Sequence, residues 1–190
     1  MFYTPSGGTG TGTWTCRSQL PRYVANGDGT VTDNESGLMW ENETSTSCAG
    51  VVTCTTSQYT WSSSGTLADG TLFTTFIAGL NGGDYYSPST GQDVSMGAAP
   101  CFANHCDWRI PTVAEFNTIF SATAPGCNSG GSAGSCIDPA FGPTQEGYWS
   151  SSTLAGVPGN VLFINFFSIA QNGSGDKTSM GYARAVRGAR

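Results

Sequence analysis

From Arg22 to Glu41 the chain reads RYVANGDGTVTDNESGLMWE, short apolar pieces broken by Asn26-Gly27 and Asp28-Gly29. Such dipeptides favour positive φ, so the stretch predicts a small β-meander with turns at 26–29 and 33–37. Residues 44–65 are rich in Ser and Thr and read as a surface loop. At Thr71 the period changes. Leu72, Phe73, Phe76, Ile77 and Leu80 recur every three or four residues and Asn81-Gly82-Gly83 stops them, which predicts a first helix. Residues 84–107 form a second long irregular region.

WRIPTVAEF, residues 108–116, predicts the start of a second helix. Thr112 is a good N-cap and Glu115 stands three places on, the capping box in which each side chain satisfies the other's free backbone N–H. Pro111 suits the extended residue before the cap, and Val113, Phe116, Ile119 and Phe120 continue as an apolar stripe. Trp108 and Arg109 are read as structural: a core tryptophan beside an arginine that pairs with an acid or stacks on a ring. Three β-like stretches come next, at 148–152, 160–169 and 182–187. The middle one is nearly continuously apolar, which predicts a strand buried on both faces at the centre of the sheet. Strands, helix, loop, helix, strands is the order of an α+β fold with an antiparallel sheet.

Composition narrows the setting. Charged residues make up 11% of the 190, against roughly 25% in an average soluble domain, and Ser, Thr, Gly and Asn take their place. That surface is typical of secreted and cell-surface proteins. Net charge is −6 with a single lysine, Lys177, so no basic footprint exists for nucleic acid. No apolar run approaches the roughly 18 residues of a membrane span. The start of the chain has no charged-then-apolar leader, which reads as an exported chain whose signal has been removed.

The seven cysteines suggest disulfides, and their spacing suggests three local loops: Cys48 with Cys54, Cys101 with Cys106, Cys127 with Cys136. Cys16 is left over, free or bonded to another chain. It ends the arm MFYTPSGGTGTGTWTC. The chain therefore divides into a Gly/Thr-rich arm, 1–21, and one domain, 22–190. An arm of this composition is a flexible tail unless it packs on the domain or on a neighbouring subunit.

Candidate chemistry is sparse. His105 is the only histidine, so no relay forms, and a zinc site from Cys101, His105 and Cys106 needs a ligand from elsewhere. Ser150, Ser151 and Ser152 lack the G-x-S-x-G elbow. The expectation is therefore a non-enzyme. No cofactor is implied. Calcium is the one ion for which oxygen ligands stand together, at Asn26, Asp28 and Asp33, although EF-hand order is absent and turn chemistry explains the same residues.

NGDGTVTDNESGLMW, CDWRIPTVAEF, YWSSS and YARAVRG together resemble the Lcl C-terminal domain family, named for a bacterial collagen-like adhesin, over about residues 22–188. The resemblance implies a C-type-lectin-like fold with two helices and long disulfide-bearing loops. WRIPTVAEF is also similar to a stretch of the formylglycine-generating enzymes, which share that fold. Those enzymes work through cysteines near the C-terminus, and none stands after Cys136 here, so their activity is not implied. Where the family often has a cysteine in the last strand this chain has Ala185, which would leave Cys16 without a partner.

The adhesin binds sulfated glycosaminoglycans, and the acidity of this chain predicts a different ligand. The resemblance implies a recognition or adhesion domain, secreted or on the cell surface, that binds a glycan or a protein surface ligand. Its contacts are expected in the loops 153–160 and 171–181, with Tyr148, Trp149, Tyr182 and Arg184 as candidates. The alternative is a structural subunit that assembles as a homo-oligomer or filament through residues 1–16.

Overall fold

The computed structural model describes residues 20–43, 53–83, 85–87, 92–94, 100–125, 127, 135–167 and 172–188. Most of the arm, with the assembly expected through residues 1–16, lies outside them, as do Cys16 and Cys48. In chain order the elements are β1 (Tyr23–Ala25), β2 (Thr30–Asp33), β3 (Met39–Glu41), β4 (Gln58–Thr60), α1 (Leu72–Ile77 continued by Ala78–Leu80), β5 (Tyr85–Ser87), β6 (Gln92–Val94), α2 (Val113–Ile119), β7 (Tyr148–Thr153), β8 (Asn160–Ile164), β9 (Asn172–Asp176), β10 (Met180–Tyr182) and β11 (Val186–Arg187). The first part of α1 is π-helical, with the Ala78 N–H bonded back to the Phe73 carbonyl.

The architecture is α+β, with two main sheets where the sequence predicts one. The predicted meander is present as β1, β2 and β3, and β11 joins its edge in the order β1-β2-β3-β11. The second sheet runs β4-β10-β7-β8-β9, and β5 and β6 pair separately. All pairings are antiparallel except one residue pair of parallel type, Tyr182 with Tyr148, where the Tyr182 N–H bonds to the Gly147 carbonyl at 3.2 Å.

Both faces of the five-stranded sheet are covered. On one, Tyr148, Ile164 and Phe166 pack with Phe116 and Ile119 of α2 and with Val31, Leu38 and Trp40 of the first sheet. On the other, Trp149 and Val161 pack with Tyr59, Leu72, Phe76 and Leu80. Tyr148 and Trp149 are neighbours in sequence and belong to different cores, as the two-residue period of a strand requires. At about 25 cal/mol per Å² such side chains supply most of the stabilisation.

Three features of the second sheet differ from the sequence reading. The centre is β7, and β8 lies next to the edge. The strand ends at Ile164 because the Asn165 side chain accepts the Phe167 N–H at 2.8 Å and turns the chain. The edge itself is β9, in a segment expected to be a loop. Its Gly173 and Gly175 have no side chains because the Phe163 and Trp149 rings lie there: a Cβ on Gly173 would meet the Phe163 ring at 2.3 Å and one on Gly175 the Trp149 ring at 3.0 Å. Likewise β4 rises within the Ser/Thr-rich stretch, held by a network in which the Thr60 N–H bonds to the Thr71 hydroxyl and the Thr71 N–H to that of Thr60.

WRIPTVAEF has the predicted form and joins the sheets. Trp108 is buried, with its indole N–H on the Phe102 carbonyl at 3.0 Å and its backbone paired with the Asn81 amide. Arg109 exchanges backbone hydrogen bonds with Val186 of β11. Thr112 and Glu115 form the capping box. The Arg109 guanidinium then grips both Glu115 oxygens, Nη1 to Oε2 at 2.9 Å with Nη2 on Oε1. From β7, the Ser152 hydroxyl accepts the Val113 N–H at 3.2 Å. Cys101–Cys106 and Cys127–Cys136 are bridged as predicted. Cys54 is disulfide-bonded, and its expected partner Cys48 lies outside the described residues.

Burial raises the Glu115 pKa, and Arg109 with the Thr112 N–H and hydroxyl more than reverses this, so the group titrates below its ordinary 4.5. A lowered carboxylate stabilises the fold above its unfolded value and loses that contribution as pH falls through it. We expect Glu115→Ala to lower stability by about 2 kcal/mol at neutral pH, and Glu115→Gln by about 1, with both differences shrinking below about pH 4. Urea unfolding at the two pH values measures this. Equal stability of Glu115→Ala and the unsubstituted protein at pH 7 would remove Arg109–Glu115 from the scaffold.

Candidate functional site

The four candidate contacts fall into two pairs. Tyr148 and Arg184 are fully enclosed, at 0% exposure. A ligand at the surface does not reach them. Arg184 leaves β10 toward β11 and turns inward, where Nη1 donates to the Glu41 carbonyl at 3.1 Å and both Nη atoms donate to the Phe141 carbonyl at 3.3 Å. Nη2 reaches Glu43 Oε2 at 3.4 Å, and the Tyr148 hydroxyl donates to the same oxygen at 2.8 Å. The Phe141 and Tyr148 rings flank the guanidinium, each 5.6 Å from its carbon. Role and partner were both invisible in YARAVRG, because Glu41 and Glu43 lie 143 and 141 residues away.

Two carboxyls share this one buried cation. Burial pushes Glu41 up to about 8, helped by the nearby Glu43 and opposed by Arg184. Glu43 is pushed up to about 7 by burial, against the pull of Arg184 and the Tyr148 hydroxyl. Among the described residues neither Glu41 carboxyl oxygen has a hydrogen bond of ordinary geometry, and burial outweighs the weaker opposing pull of the Ala185 backbone.

Trp149 is buried in the second core at 4% exposure, and Tyr182 is half-buried. They line a groove of about 630 Å³ at the β10–β7 junction. Two residues from Tyr182, the exposed Met180 forms part of the wall, with Gln58 of β4 beside it. Gln145, Glu146 and Gly147 enter from the chain before β7, and Phe163, Asn165 and Phe167 from β8 and the turn beyond it. Gly181 is required by the groove's geometry: a Cβ there would lie 2.5 Å from the Trp149 indole. That indole is fixed by its N–H on the Tyr59 carbonyl at 2.9 Å. Beside this packed indole, the half-buried rings of Phe163, Phe167 and Tyr182 line the groove with amides around them.

Of the loops expected to bind, 153–160 closes the other end of the β7–β8 hairpin and contributes nothing to the lining, whereas Met180 and Gly181 come from the second. Gln58 and Asn165 were missed because they stand in stretches read as loop and core strand, and Gln145 because no element was assigned to 137–147. The signal was NFF after β8, an amide set among aromatics too close to a strand end to be wholly buried.

The residues offered for calcium are engaged locally. Asn26 Nδ2 donates to the Thr30 and Thr32 hydroxyls at 2.8 and 3.0 Å, and Asp28 accepts from the Thr30 N–H and hydroxyl at 3.1 and 2.6 Å. Asp33 pairs with Arg22 at 3.2 Å and takes the Glu35 N–H and Ser36 hydroxyl. Among the described residues no group of three or more His, Cys, Asp and Glu is disposed to hold a metal.

The buried carboxyls generate a pH prediction. In the native state they keep protons that the unfolded chain, titrating near 4.5, has lost. Stability therefore falls as pH rises between those values. The melting temperature should decline from about pH 5 to about pH 8, and Glu41→Gln, an isostere of the protonated acid, should flatten that limb. A level profile in the unsubstituted protein would contradict the assignment.

Comparison with known proteins agrees with the motifs. No curated protein and no solved structure matches the chain, so the fold it shows is the α+β architecture described above. The model of the Lcl C-terminal domain matches residues 29–187, from the turn before β2 to the last residue of β11. The span takes in the second sheet, the first sheet apart from β1, the capped helix and the groove, and the chain belongs to the Lcl C-terminal domain family.

Proposed function

We propose that this chain is a non-enzymatic recognition domain, secreted or displayed at the cell surface, whose groove between β10 and β7 holds a glycan or a protein surface ligand. Family membership relates it to adhesin surface domains. Its bridged cysteines are consistent with an oxidising extracellular setting.

The observation that carries the reading is the groove itself. Half-buried Phe163, Phe167 and Tyr182 present ring surface beside the amides of Gln58, Gln145 and Asn165. Small-ligand sites are concave and largely preformed, with an apolar floor for contact area and a few fixed polar groups for orientation. The floor is preformed because the Trp149 ring is fixed between Gly181, Gly175 and the Tyr59 carbonyl. Little ordering entropy is then lost on binding.

Gln58 and Met180 are exposed, so their removal leaves the core intact. A glycan array followed by calorimetry on the strongest hit should show Gln58→Ala and Met180→Ala together weakening binding by about tenfold or more, a loss of about 1.4 kcal/mol. Leu67→Ala and Val157→Ala, at exposed apolar positions outside the groove, should bind as the unsubstituted protein does. Binding that survives the groove pair and fails in the other two places the ligand elsewhere.

A further inference from the structure

The charges around the groove select its ligand. Of the seven Lys and Arg in the chain, Arg22, Arg109, Lys177, Arg184 and Arg187 are described, and each is engaged. Arg22 pairs with Asp33 and Glu35, Arg109 with Glu115, Arg184 with Glu43, and Arg187 with Asp107 at 2.7 Å. Lys177 is 2% exposed, its ammonium donating to the Thr66 carbonyl at 3.1 Å and standing 4.0 Å above the Trp61 ring. None of these five lines the groove. Its charged member is Glu146, which is exposed.

A sulfate or carboxylate brought to this lining meets a carboxylate and no described cation. Like charges at such a distance are unfavourable, and recognition of anionic groups by proteins relies on Arg and Lys donors. A neutral sugar has complementary needs. Its hydroxyls want paired donors and acceptors, which the amides of Gln58, Gln145 and Asn165 supply, and Glu146 accepts further hydroxyl protons. The apolar C–H face of a pyranose ring needs a flat partner, which the half-buried rings of Phe163, Phe167 and Tyr182 offer.

We infer that the groove takes an uncharged glycan and rejects its sulfated or uronic-acid-bearing counterparts. The inference rests on the recognition reading above and adds the charge class. Selectivity comes from an unfavourable carboxylate as much as from favourable amides, the arrangement by which a site discriminates between ligands of one shape.

The test compares matched oligosaccharides of gluco, galacto and manno type, each neutral and each sulfated, by calorimetry at about 50 mM and about 500 mM NaCl, a range over which exposed charge interactions are largely screened. At least one neutral member should bind with an affinity insensitive to salt. Its sulfated form should bind at least about tenfold more weakly. Glu146→Lys should bring the sulfated form closer to the neutral one at low salt, and that gain should vanish at high salt. Sulfated forms binding more tightly than neutral ones, with salt weakening them, would overturn the charge class and leave the recognition reading standing. Failure of every neutral and sulfated member to bind would overturn this inference and leave the recognition reading only its protein surface ligand.

Discussion

The buried guanidinium of Arg184 is the contact on which the two sheets depend. Its hydrogen bonds end on the Glu41 carbonyl at the end of β3, on Phe141 before β7, and on Glu43. One side chain thus ties the first sheet to the approach to the second. Burying a charge costs several kcal/mol unless partners compensate. Here the compensation is a carboxylate, two backbone carbonyls and two flanking rings. The arrangement remains imperfect, since among the described residues Arg184 Nε and both Glu41 carboxyl oxygens have no hydrogen-bond partner. Burial of Glu41 beside Glu43 is why a proton is retained there above ordinary carboxylate pH.

Arg184 also determines where the groove opens. It stands between β10 and β11, so anchoring it fixes how β10 leaves the five-stranded sheet, with Gly181 and Tyr182 just before it. β10 meets β7 at one residue pair only. Aromatic rings fill the neighbouring space wherever a glycine leaves room: Trp149 over Gly181 and Gly175, Phe163 over Gly173. Small residues on one strand and large rings on the next make a flat floor without a sheet edge for ligand pairing. Packing and recognition use the same side chains.

Legibility in the sequence tracked the range of the interactions. The helix start at 112 was readable because a capping box lies within four residues, whereas Arg109 was read only as pairing with an acid or stacking on a ring, and the structure identifies Glu115 as its partner. The meander and the bridged pairs Cys101–Cys106 and Cys127–Cys136 are equally local. β9 was not readable: Asn172 to Asp176 has the composition of a turn, and only the rings across from its glycines make it a strand. Tyr148 and Trp149 were both candidate contacts, with core packing weighed for Trp149, and strand alternation buries one beside a carboxyl in the first core and the other in the second. Deciding what covers each requires the sheet order, which no local pattern contains.

The most direct measurement is an amide and indole NMR titration of the intact chain with a neutral oligosaccharide. The predicted result is chemical-shift change concentrated at the Gly147, Gly181 and Tyr182 backbone amides and the Gln58, Gln145 and Asn165 side-chain amides, with the Trp40 and Trp108 indoles, buried in the two cores, unmoved. Shifts confined to the 154–159 turn at the far end of the β7–β8 hairpin, with the Gly181 and Tyr182 amides unchanged, would contradict it.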